Sequence, residues 1–178
     1  MSLIDEILGQ PYRQVKPRVF VSYHHGNDQP WYDRFAVVFG GAYEVFTDRS
    51  LRDSIHSDNT EYVMRVIREQ YITGSSVTIV LCGSETWKRK YVDWEIKATL
   101  DKGHGLLGVM LPTVAADAMG NAVLPDRLAD NIRSGYAHWV RWTEFASGLS
   151  SAIANARHRA ANSTVMENWR QMMGRNRS

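Results

Sequence analysis

Cysteine is almost missing from this 178-residue chain: only Cys82 is present, so no internal disulfide can form. A single cysteine within an apolar run reads as a small hydrophobe, and its isolation suits a reducing cytoplasm, where the protein is expected to reside. No apolar run approaches the ~20 residues needed to cross a bilayer, so no membrane partner is expected. The first residues include Asp5 and Glu6 and lack the apolar stretch of a leader, so no secretory signal is expected. A surplus of either charge is missing too. With 21 Lys+Arg against 19 Asp+Glu, no global field draws in nucleic acid. The phosphate-cradling glycine motifs are also absent, both G-x-G-x-x-G after the first strand and G-x-x-x-x-G-K-[ST]. The first loop, His24 to Asp28, has one glycine and cannot wrap a pyrophosphate in the Rossmann manner. No internal repeat or low-complexity tract interrupts the chain.

What is present describes a folded domain. Apolar residues make up 44% of the chain and include six Trp, enough for a substantial core. Residues 1–17 place Leu3, Ile4, Ile7 and Leu8 at helical spacing before Gly9, Pro11 and Pro17, an N-terminal arm. Strands are predicted at Arg18–Tyr23, Tyr43–Thr47, Ser76–Cys82, Leu106–Leu111 and Ala137–Trp142. Helices are predicted over 29–39, 60–72, from Ser84 to Gly103, around 125–131, and from a Thr143 cap to about Arg159. Residues 48–59 form a long polar loop of the kind that carries function. Five alternations of strand and helix predict an α/β fold: a flavodoxin-like three-layer sandwich on a five-stranded, mainly parallel sheet, spanning residues 18–160. Residues 161–178 read as a basic tail in solvent, with a weak site for anionic partners as the alternative. From Arg157 onward, Arg157, Arg159, Arg170, Arg175 and Arg177 face the single acid Glu167.

The rest of the chain is organised around Ser76–Ile96. Its first half is a β-branched run that reads as a strand buried on both faces, and the helix after Gly83-Ser84 carries Glu95. Val92, Ile96 and Leu100 form the apolar stripe of that helix. At roughly 100° per residue, Glu95 lies about 60° from Val92, at the stripe's edge. Its neighbours three and four residues away are Tyr91, Val92, Ala98 and Thr99, none of them basic. Asp93 is the contrast, with Arg89, Lys90 and Lys97 around it, and reads as a solvated acid. A carboxylate without local counter-charge, beyond the carboxyl end of a central strand, is a functional candidate. The bland alternative is an edge-of-core Glu partnered from elsewhere in the fold. His24, His25 and Asp28 fall short of a metal site, and no metal is expected. A Ser22/His24 nucleophile pair lacks an orienting acid.

Three stretches together resemble the TIR-like domain family: Val19–His24 as its opening strand, the polar loop Asp48–Asn59, and Ser76–Ile96 ending in Trp94-Glu95-Ile96. The similarity spans roughly residues 18–142 and points to the divergent bacterial branch that includes the ThsB subunit of Thoeris antiphage systems. The resemblance implies an enzyme that cleaves the nicotinamide–ribose bond of NAD, with NAD as substrate and no cofactor. Its product would be an ADP-ribose-type signalling nucleotide that acts on a downstream effector, and self-association is expected. Glu95 occupies the position of the family's essential glutamate. Tyr91 and Trp94 are expected to shape the nicotinamide side, with Trp87 a further candidate for stacking. Plain packing against the sheet is the equal alternative for Trp87 and Trp94. Ser22, Tyr23, His24 and Asp48 are expected at the pocket rim. Tyr91 stands where many members have Trp, and the Ser84–Glu95 spacing is one residue shorter than usual. A non-catalytic interaction module is the alternative that the resemblance leaves open.

Overall fold

The computed structural model describes residues 16–47 and 59–178. The expected N-terminal helix and most of the 48–59 loop, Asp48 included, lie outside the described residues. The elements are β1 (Arg18–Ser22), α1 (Gln29–Phe39), β2 (Glu44–Phe46), α2 (Thr60–Val66) and a π-helical turn (Ile67–Ile72), then β3 (Val77–Cys82), α3 (Lys90–Asp101), β4 (Gly105–Met110), α4 (Asp126–Ser134), β5 (His138–Arg141) and α5 (Trp142–Ala160). All four strand pairings are parallel and the sheet order is β2-β1-β3-β4-β5. That order is the flavodoxin-like one, and the three-layer α/β architecture expected from the pattern is the one found.

Side-chain alternation along the strands decides which helices cover which face. Val19, Val21, Val77, Ile79, Leu81, Leu107 and Val109 point to one face, where Phe35 and Phe39 of α1 meet Phe145, Leu149 and Ile153 of α5. On the other face, Phe20 packs with Val63, Ile67, Ile72, Trp94 and Ala98, and Val80 and Cys82 pack with Val92, Ile96, Leu100 and Leu128. The central strand β3 is buried along its whole length, as its unbroken apolar run requires. Among the described residues, no helix is long and apolar enough to cross a membrane.

Three elements depart from the sequence expectation. The helix after β3 does not start at Ser84; a 3-10 turn over Thr86–Lys88 comes first, and extended backbone at Arg89 delays α3 to Lys90. The cause is local: the Thr86 hydroxyl accepts from the Gly83 N–H at 2.8 Å, and Glu85 holds Lys88 at 3.2 Å and Arg89 at 2.7 Å. The last helix starts at Trp142 rather than from a Thr143 cap, because the Glu144 carboxylate accepts from the Arg141 N–H at 3.2 Å. Residues 161–178 are not a solvated tail. They fold back over α3 and α4, where Asn131 Nδ2 donates to the Glu167 carbonyl at 2.8 Å and Arg170 Nε to Asp130 at 2.7 Å.

Candidate functional site at the carboxyl edge of the sheet

Because β3 and β4 are parallel, the crossover helix α3 runs back against them, and its first turns lie near the carboxyl ends of the strands. Its rotation is set by two threonines. The Thr99 hydroxyl donates to the Glu95 carbonyl at 2.8 Å, which leaves Thr78 to donate to Thr99 Oγ1 across 2.6 Å. Thr99 therefore sits on β3 at Thr78. One helical turn is about 5.4 Å, close to the roughly 6.6 Å spanned by two strand residues, so Glu95 lies near the level of Val80. The register partner of Val80 on β1 is Ser22.

Glu95 is 1% exposed and Ser22 is fully buried. Ser22 Oγ has no hydrogen-bond partner among the described residues. Ser22 shares the parity of Phe20, so it points to the α3 face of the sheet. The site thus combines a buried carboxylate and a buried hydroxyl at the edge where ligands of such sheets bind. His24, also buried, follows in the next loop, and a Cβ at Gly26 would come within 3.1 Å of its ring.

Other expected site residues are placed differently. Tyr23 has the opposite parity and belongs to the α1 face, so it is not brought together with Glu95. Its ring stacks between His25 at 4.2 Å and Tyr32 at 4.6 Å, and its hydroxyl donates to Gln29 Oε1 at 2.9 Å. Trp94 packs in the cluster between α2 and α3, edge-on to Tyr91 at 5.4 Å, and its indole N–H donates to the Met173 carbonyl at 2.8 Å. Trp87 is flanked by the Lys88 ammonium at 5.5 Å and the Arg177 guanidinium at 5.8 Å. Both indoles are thereby engaged by residues of the chain itself. Asp93 corrects the expectation of a solvated acid: it is 4% exposed and paired with the fully buried Arg127.

Sequence reasoning missed a latch at this same edge of the sheet. Asp28, fully buried, accepts from the Thr86 hydroxyl at 2.7 Å, which ties the loop after β1 to the turn after β3. Burial raises the Asp28 pKa, against the lowering by the Thr86 bond, a His24 backbone hydrogen bond and the Arg89 charge. Gly83 is required here, since a Cβ at that position would collide with Asp28 Oδ1. No local pattern announces the latch, because its partners are 58 residues apart. Burial pushes the Cys82 thiol well up, so it is an inert hydrophobe. Among the described residues, no three His, Cys, Asp or Glu side chains gather as a metal site. A groove of about 660 Å³ opens between α2 and α3 beside Tyr62, Arg65, Arg68 and Lys97, but its lining includes neither Glu95 nor Ser22.

Residues 20–116 match the family model described as Thoeris protein ThsB, TIR-like domain. The matched span runs from β1 through β4 and contains Ser22, His24, Asp28, Thr86 and Glu95. Among solved structures, the chain is similar to the TIR domains of the activated Roq1 resistosome that recognises the pathogen effector XopQ. Identity there is 13% and the TM-score 0.40, over 85% of this chain and 84% of that one. No curated protein matches the chain.

Proposed function

The chain belongs to the Thoeris ThsB TIR-like family, and on that premise we propose that it cleaves NAD in bacterial antiphage defence. It releases nicotinamide and leaves an ADP-ribose-type signalling nucleotide for a separate effector. The observation that carries this reading is the position of Glu95, almost wholly buried at the carboxyl edge of the sheet, level with Ser22. Breaking the nicotinamide–ribose bond builds positive charge on the anomeric carbon. A carboxylate buried away from water stabilises that charge far better than one in solvent. Nicotinamide leaves from a cation as a neutral molecule, so no general acid has to protonate it. The buried Ser22 hydroxyl supplies a polar group for a ribose hydroxyl beside the carboxylate.

The test is nicotinamide release from NAD at high protein concentration, resolved by chromatography, for the wild type and Glu95→Gln. Release by the wild type alone supports the reading, and the second product peak identifies the nucleotide. Equal release by both would remove Glu95 from the chemistry. The exposed pair Val37 and Val38 at the end of α1 favours a second reading, an interaction module assembled through that helix. In that case Glu95→Gln leaves assembly intact while neither protein consumes NAD.

A further inference from the structure

The helix that carries Glu95 lacks a cap of its own. Arg89 stands at its N-cap position and makes no side-chain cap bond, although the first N–H groups of any helix need partners. The Lys90 N–H finds one 86 residues away, in the Asn176 side chain, whose Oδ1 accepts at 2.9 Å. Three more hydrogen bonds come from the same short segment. The Met173 N–H donates to Asp93 Oδ2 at 2.9 Å, the Met173 carbonyl accepts from the Trp94 indole at 2.8 Å, and the Arg177 N–H donates to the Lys88 carbonyl at 2.9 Å. The Arg177 guanidinium anchors the segment on Asp126 of α4 at 2.6 Å. Every one of the four bonds lands on residues 88–94, directly ahead of Glu95.

We propose that residues 173–177 position the reacting carboxylate, with Asn176 acting as the N-cap of α3 from a distance. This rests on the reading of Glu95 as the NAD-cleaving group. Asn176 reaches the backbone of the first turn of the helix and acts on Glu95 through it. Losing the cap lets that turn fray, and a carboxylate displaced by a fraction of an ångström stabilises the transition state less while substrate binding changes little.

The test compares wild type, Asn176→Ala, Asn176→Asp and Glu95→Gln in nicotinamide release and in amide hydrogen exchange over Lys90–Trp94. Asn176→Ala is expected to speed exchange at Lys90 and to lower kcat roughly tenfold, with KM within about twofold, as a cap and orientation effect. Asn176→Asp, which keeps an acceptor of equal capping strength, is expected to restore both. If Asn176→Ala keeps wild-type kcat, or leaves exchange at Lys90 unchanged, while Glu95→Gln is inactive, the positioning role is wrong and the NAD reading stands. If the wild type releases no nicotinamide, or Glu95→Gln matches it, the NAD reading fails and the positioning role falls with it.

Discussion

Arg127 lies wholly buried against Asp93, with Nε 2.9 Å from Oδ1 and Nη2 3.4 Å from Oδ2. The pair joins α4 to the helix that carries Glu95, and Asp93 also accepts the Met173 N–H. Removing one partner strands a charge in the interior. Arg127→Met is expected to cost about 3–5 kcal/mol in urea unfolding, whereas Arg127→Met with Asp93→Leu should recover more than half of that loss. A double variant no better than the single would show that the pair is net stabilising.

The Asp28–Thr86 latch predicts a pH signature. Asp28 has a folded pKa above its ordinary 3.8, raised chiefly by burial and faced by Thr86, Arg89 and Glu85. A raised folded pKa means that its contribution is full below 3.8 and is lost as pH rises through the folded value. Asp28→Asn keeps the shape and an acceptor for Thr86 but has no proton to lose. The Tm of Asp28→Asn relative to wild type should therefore rise as pH climbs above 3.8 and level off once pH has passed the folded value. Parallel curves across that range would dismiss the buried carboxylate as the cause.

The threonine pair that sets the rotation of α3 can be separated from its packing. Thr99→Val leaves the buried Thr78 hydroxyl without its partner and is expected to cost about 1–3 kcal/mol. Replacing both by Val removes the stranded group and should be close to neutral, with a coupling energy readable from the double-mutant cycle. Because Thr99 also holds the Glu95 carbonyl, nicotinamide release should fall in the single variant even where the fold is intact.

Much of this architecture was legible in the chain. The β-branched run of β3 announced a strand buried on both faces, and five alternations of strand and helix announced a parallel sheet. The stripe Val92, Ile96, Leu100 placed Glu95 beside the core. The errors have a common physical cause, since spacing rules see only neighbours a few residues away. Asp93 looked solvated because Arg89 and Lys97 flank it, yet Arg89 is held by Glu85 and Lys97 by Asp101. That leaves Asp93 to Arg127, 34 residues on. The Asp28–Thr86 latch and the Asn176 cap span 58 and 86 residues, and no period reveals either. Tyr23 was legible in principle: alternation carried one residue past β1 sends it to the face opposite Ser22.

The distance between Lys90 and Asn176 also sets a clock on synthesis. A ribosome adding about 5–20 residues per second makes Asn176 roughly 4–17 s after Lys90. Before that interval ends, the strands up to β5 have all been made and can pair, while the first turn of α3 still lacks its Asn176 partner. A nascent chain can thus hold every strand of its sheet before the side chain that caps α3 has been made.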